Sequence, residues 1–366
     1  MIIYLSMIIW VLLMWFFISS TKTKYANSIS KPPLVTPIIA WVTFSYIFFW
    51  ISMRTAFADT EAYIESFSNA PSLIEYKALA QEGKGQGFTL MEVLFKDFIS
   101  SNYHIWLTFI TLLCGIPIVK HLRVNSFDFF MSAYLFVVSL NFTWMMNGIR
   151  QFIPAAIMFG LYKMILNKKM FLYIIVILLL SKIHFSVIIM IPMYWFITSK
   201  PFSRPIMLFV CSLIMIVVFL SPFLEVLETS LTGTGYEKNL EQFAEDDGVN
   251  PLRVVFAAIP SIIAFIYRKK LFALNNSYIN MSVNMSLIGA GIYFVAVFTS
   301  GIMVGRLPIY FELYNLTLIP FLLKQIVDQS KRNIITIGYM ALYFVFFYLQ
   351  ASKFWYVSDL TGPIVP

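Results

Sequence analysis

The chain has 366 residues, 60% hydrophobic and 12% charged, with a formal net charge of +8. Soluble domains run near ~45–50% apolar and ~25% charged, so this composition excludes an ordinary soluble domain and marks a polytopic membrane protein. No basic run interleaves with aromatics, which excludes a nucleic-acid surface as the reason for the positive balance.

In chain order, apolar stretches long enough to cross ~30 Å of hydrocarbon fall near 2–18, 34–53, 105–119, 127–146, 150–166, 206–224, 252–267, 281–303, 308–323 and 333–350. The first lacks a basic leader and a small-residue cleavage site, so it reads as a true span rather than a signal peptide. The stretch 170–197 is interrupted by Ser181-Lys182-Ile183-His184. It is either one overlong helix of ~42 Å or two short half-helices.

Charge favours the second reading. Lys22, Lys24 and Lys31, then Lys120 and Arg123, Lys168 and Lys169, Arg268 to Lys270, and Lys324, Lys331 and Arg332 all follow apolar spans. The positive-inside rule makes these loops cytoplasmic. Lys200 and Arg204 should join them, which requires the chain to enter and return within 170–197. The expected fold is an all-α polytopic membrane protein of about twelve segments, including a pair of short or re-entrant helices, with both termini outside. It forms a single transmembrane domain over 1–366, with outer loops 54–104 and 225–251. Cys114 and Cys211 lie in spans, where no disulfide is expected.

The first outer loop shows an acidic start at Asp59-Thr60-Glu61, a Pro71-initiated amphipathic stretch, a Gly83-to-Gly87 bend, and apolar residues at helical spacing from Phe88 to Ile99. Short interfacial helices fit this pattern. The second loop carries Glu237, Glu241, Glu245, Asp246 and Asp247 and reads as a lid or as a plain solvated loop.

Arg54, Arg150, Arg253 and Arg306 all sit where apolar spans meet the outer face, and together they suggest a site for a multiply charged anion. Arg150 lies in Asn147-Gly-Ile-Arg-Gln151 at a helix start, where a cationic side chain beside unpaired amides favours phosphate. The alternative is a snorkelling anchor, although an anchor does not require Asn147 and Gln151 on either side. Asp59 and Tyr63 share one face if a helix begins at Asp59, and the carboxylate would orient an arginine or accept a sugar proton. An ordinary acidic helix start explains Asp59 equally well.

Lys182 and His184 occupy the break in 170–197 and at membrane depth must face water or a partner. His184 would serve as a general base, as a hydrogen-bond donor to phosphate or sugar, or in closing the half-helix turn. Arg306 precedes Tyr310 and Glu312, and a buried Glu312 would need an arginine as neighbour. Arg253 has no supporting motif. Neither HExxH nor a Cys/His cluster occurs, so no protein-built metal site is expected. Gly83 to Gly87 lacks the phosphate-loop spacing.

Arg54…Asp59-Thr60…Tyr63, Gly87-Phe88, Asn147-Gly-Ile-Arg150-Gln151, His184-Phe-Ser186 and Arg306…Tyr310-Phe311, in this order, resemble the EpsG-like family of Wzy-type polysaccharide polymerases. The resemblance spans about 40 to 325, and Asn-x-x-Arg-Gln is its most specific element. Where the family shows His-Pro-Ser or His-x-Ser-Ala, this chain has Phe185 and Val187.

The resemblance implies a fold like the lipid-dependent GT-C-like glycosyltransferases. It implies joining of undecaprenyl-diphosphate-linked oligosaccharides, donor and acceptor alike, on the outer side of a bacterial inner (plasma) membrane. Arg150 and Arg306 would hold diphosphate, supported by Arg54 and Lys182. Asp59 or His184 would position or deprotonate the acceptor, with Tyr63, Asn147, Gln151, Tyr310 and Glu312 around the substrate. No cofactor is expected, and a chain-length regulator is the implied protein partner. A transporter or flippase of the same lipid-linked sugar is the alternative function, and another lipid-linked sugar or acyl transferase is a weaker one.

Overall fold

The computed structural model describes residues 1–20, 34–79, 86–231 and 248–364. The chain divides into two compact units. One comprises Met1–Met164, Lys169–Ile188 and Ile319–Pro366; the other comprises Ile165–Lys168 and Ile189–Leu318.

The first unit opens with α1 (Ile2–Ser20), α2 (Pro37–Ser52), the short strand β1 (Arg54–Ala56), and α3 (Thr60–Ser68), α4 (Leu73–Leu79) and α5 (Gln86–Phe98). It continues with α6 (Tyr103–Asn125), α7 (Phe129–Val138), α8 (Ile149–Gly160), α9 (Lys163–Leu166), which runs into the second unit, and α10 (Met170–Leu180). Polar side chains set several starts. Asn102 accepts from the His104 amide at 2.8 Å to begin α6, and Asp128 accepts from the Met131 amide at 3.1 Å to begin α7. Two close approaches fix the packing of α6. A Cβ on Gly115 would come within 2.5 Å of the Phe48 ring, and one on Gly160 within 2.6 Å of Pro117.

The second unit contains α11 (Met190–Thr198), α12 (Arg204–Val218), α13 (Leu220–Leu231), α14 (Pro251–Ile266), α15 (Arg268–Leu274), α16 (Ser277–Ala296) and α17 (Ile309–Glu312). The buried Asn284 amide nitrogen of α16 lies 2.7–3.1 Å from the carbonyls of Phe196, Ile197 and Ser199, so it satisfies the open C-terminal end of α11. The chain then passes through α18 (Asn315–Phe321) and returns to the first unit with α19 (Gln329–Ala351), β2 (Tyr356–Ser358) and β3 (Gly362–Ile364).

By length and composition α6, α16 and α19 can each cross a membrane, and α14 with α15, bent by 73°, makes a fourth crossing if the pair is one span. The other apolar helices run 10–17 residues. Several expected spans are interrupted. The stretch 127–146 is α7 followed by a 3₁₀ turn, with Leu140 at φ 63 between them. The stretch 150–166 stops at Gly160. The stretch 308–323 consists of α17, α18 with Pro320 inside it, and the start of a π-turn at Leu322–Ile326. Hydropathy reports an apolar environment, and that environment tolerates a break wherever protein buries the freed backbone groups.

The chain does break at 181–184, between α10 and the 3₁₀ turn Phe185–Ile189 that leads into α11. The stretch expected as the first outer loop folds as α3, α4 and α5, and Gln86 and Gly87 already belong to α5. Residues 83–85 of the Gly83-to-Gly87 bend and the carboxylates 237–247 lie outside the described residues. One departure from an all-helical chain is the antiparallel sheet β1-β2-β3, in which Arg54 pairs with Ser358. Strands of three residues are too short for a period-two signal.

Candidate functional site

Side chains of the first unit gather around the start of α8. Gly148 takes φ 74, a conformation that favours glycine, and no side chain caps the helix that follows. Twelve aligned residues begin there, with amide donors and partial positive charge at their first turn. Asn147 Oδ1, just before the turn, is buried and finds no partner among the described residues.

Arg150 places its guanidinium carbon 4.9 Å from the Phe88 ring centre and 5.9 Å from that of Tyr63. Those two rings meet edge to face at 6.1 Å. Contact with ring faces holds the guanidinium while using none of its N–H donors. The Arg150 Nε is buried and unpartnered among the described residues.

Glu92 lies four residues after Phe88 on α5, so both occupy one helix face. It is fully buried, with Ser66 Oγ donating to Oε2 at 3.1 Å, and Oε1 has no partner among the described residues. Burial pushes its carboxyl up to about 7, against the opposing pull of the Ser66 hydrogen bond and the Arg150 charge. Sequence reading passed over Glu92. Its signal was a carboxylate on the buried face of an amphipathic helix, one turn beyond Phe88.

Arg54 is completely buried. Its Nε donates to Thr60 Oγ1 at 2.9 Å and its Nη1 to the Ile51 carbonyl, while Nη2 is unpartnered among the described residues. Thr60 in turn donates to the Met146 carbonyl at 3.4 Å, next to the Asn147 turn. Arg54 thus braces the end of α2 and the start of α3 against the segment leading into α8. Burial lowers its guanidinium to about 10, which leaves it charged at neutral pH. Asp59 is half-buried and occupies the cap position of α3 without a side-chain capping bond, and its carbonyl accepts from the Tyr63 amide at 3.2 Å.

The break after α10 joins the same cluster. The Gly87 amide donates to the Lys182 carbonyl at 2.9 Å, and a Cβ on Gly87 would stand 2.7 Å from that oxygen. The Lys182 side chain is exposed. Gln151 Nε2 donates to Ser186 Oγ at 3.2 Å, and Ser186 Oγ lies 2.7 Å from His184 Nδ1. If the hydroxyl donates to Nδ1, Nε2 carries the proton and acts as a donor; if Nδ1 donates, Nε2 is the basic nitrogen.

The second unit holds its own group. Tyr293 donates to Glu312 Oε2 at 3.0 Å, and the Arg253 charge acts on the same phenol. Arg253, which had no supporting motif, is therefore a cation beside the Tyr293–Glu312 pair. Arg306 is half-buried in the turns before α17, and Tyr310 is buried in α17.

The model of the EpsG family matches residues 37–360, a range that contains both arginine groups. The chain belongs to the EpsG family. This is a family of Wzy-type polymerase-like proteins, so the chain is a membrane-embedded, polysaccharide-polymerase-like protein of the glycosyltransferase kind. No curated protein and no solved structure gives a match. The Asn147-to-Gln151 element of this EpsG protein is thus placed at an uncapped helix start, beside the rings of Tyr63 and Phe88.

Proposed function

We propose that this EpsG-family protein joins oligosaccharide repeat units carried on undecaprenyl diphosphate, at the outer face of a bacterial plasma membrane that it crosses about twelve times. The observation that carries the reading is Arg150, stacked on Phe88 and Tyr63 at an uncapped helix start, with a buried Nε that has no partner among the described residues. A diphosphate supplies the charge and the acceptor oxygens that such a group lacks.

The reaction transfers the growing chain to the non-reducing end of the incoming unit. The acceptor hydroxyl oxygen attacks the anomeric carbon, and the bond from that carbon to the diphosphate oxygen breaks, with undecaprenyl diphosphate taking the bonding pair. Asp59 or His184 takes the hydroxyl proton. Arg150 meets the charge that develops on the leaving oxygen, the type of fixed stabilisation that contributes most when water is excluded. Lys182 adds charge at the break, and Asn147 and Gln151 position sugar or phosphate. Within the second unit, Arg306, Tyr310 and Glu312 are assigned to binding of lipid-linked substrate, and a chain-length regulator acts as partner.

Binding of undecaprenyl diphosphate to purified protein tests the assignment. One charge-assisted contact is worth ~1.5–3 kcal/mol, so Arg150→Ala should weaken binding about 10–100-fold in a correctly folded protein. Unchanged affinity would remove Arg150 from the diphosphate site.

A further inference from the structure

A cleft of about 510 Å³ opens between α6 and the end of α8, within the range of cavities that hold small ligands. Its origin is local. Pro117 lies inside α6 and cannot donate to the carbonyl one turn back, and α8 ends at Gly160, which presses against Pro117. The Phe159 carbonyl, left open by the end of α8, accepts from His121 Nδ1 at 2.6 Å. That bond and the stack of His121 on Phe159, 3.6 Å between ring centres, fix the inner wall.

The lining changes character along α6. Leu113, Ile116 and Pro117 line one end, and Lys120, His121 and Val124 the other. Leu113 lies ~10 Å along the helix from Lys120, and Lys120 ~7.5 Å from the last residue of α6. The other wall repeats the order, with Ile157 and Gly160 followed by Lys163. With α6, which is long and apolar enough to span a bilayer, as a membrane span, Lys120 near its end would stand close to headgroup depth and the apolar part in the hydrocarbon, and Lys163 lines the same cleft. Lys120 and Lys163 are exposed, and no carboxylate lines the cleft.

We infer that this cleft is a binding site for a phospholipid with an anionic headgroup, its phosphate between Lys120 and Lys163 and an acyl chain along Leu113, Ile116 and Ile157. The matching order of apolar and cationic residues, along α6 and from α8 into α9, fits a molecule with the same order, and neither a soluble anion nor a neutral lipid uses both ends. Two lysines at the interface favour an anionic over a zwitterionic headgroup by about tenfold or more.

The test uses the full-length protein in nanodiscs containing equal phosphatidylglycerol and phosphatidylethanolamine, with retained lipids counted by native mass spectrometry. Wild type should retain phosphatidylglycerol about tenfold over phosphatidylethanolamine. The Lys120→Gln/Lys163→Gln protein should retain the two equally, and Lys120→Arg/Lys163→Arg should behave as wild type. A Lys168→Gln/Lys169→Gln protein, which loses two exposed charges nearby, should keep the preference. The inference is overturned if wild type shows no preference, if the Lys120/Lys163 glutamine pair keeps it, or if the Lys168/Lys169 pair loses it equally. Displacement of phosphatidylglycerol by millimolar inorganic phosphate would also overturn it, since the site would then take a free anion.

Discussion

Glu92 and Arg150 form the most consequential pair at the residue scale, because each carries a buried side-chain atom that the fold leaves unpartnered among the described residues. The raised Glu92 carboxyl has a direct effect on stability. A group whose pKa is higher in the folded chain stabilises it fully below its ordinary value, here 4.5, and loses that contribution as pH rises through about 7. Thermal unfolding in detergent should therefore show stability falling between about pH 4.5 and 7, by up to ~3 kcal/mol. Glu92→Gln should flatten that slope, whereas a slope unchanged in the Gln variant would mean that other groups titrate. Arg150→Lys should not rescue Arg150→Ala, since a lysine offers neither a planar face for Phe88 and Tyr63 nor a fork of donors. Arg54 is different in kind: its buried bonds to Thr60 and Ile51 predict that Arg54→Ala lowers folded yield before any effect on turnover can be measured.

Two contacts between elements carry predictions of their own. Gly87 brings α5 against the Lys182 carbonyl, so Gly87→Ala forces backbone to move, at a cost of about 1–3 kcal/mol. Because the same turn leads to His184 and Ser186, activity should fall further than melting temperature. Equal losses would reduce Gly87 to packing. Asp128 both caps α7 and pairs with Lys324 at 2.8 Å while itself buried. Asp128→Ala should destabilise by ~2 kcal/mol, read as a lower melting temperature, and Lys324→Gln by less, because its own side chain is half-exposed.

The elements also show what a sequence can and cannot display. The break at 181–184 was legible because Lys182 and His184 are too polar for an uninterrupted span, and the helices of 60–98 were legible from their spacing. The turn at Leu140 and the end of α8 at Gly160 were not, since each leaves the apolar run intact. Glu92 was missed, and Arg253 had no motif to support it, for a related reason: Ser66 and Tyr293, beside which they stand, are 26 and 40 residues away in sequence, and no local pattern marks such a meeting.

At the scale of the whole molecule, composition and loop charge gave the membrane class, and the Asn147-to-Gln151 element led to the EpsG family, which the match over 37–360 shows. The Arg150 group lies in one compact unit and the Arg253 group in the other. That division follows contacts such as Asn284 with the end of α11, which a list of spans does not contain.

The central claim is polymerisation of a lipid-linked unit by the Arg150 group. It is tested most directly by incubating purified protein in liposomes with its undecaprenyl-diphosphate-linked repeat unit and no nucleotide sugar, wild type beside Arg150→Ala. The account predicts a ladder of longer lipid-linked glycans from wild type and, from a folded Arg150→Ala protein, a rate lower by about 100-fold or more. Movement of the unit across the bilayer without elongation, or a ladder undiminished in Arg150→Ala, would contradict it.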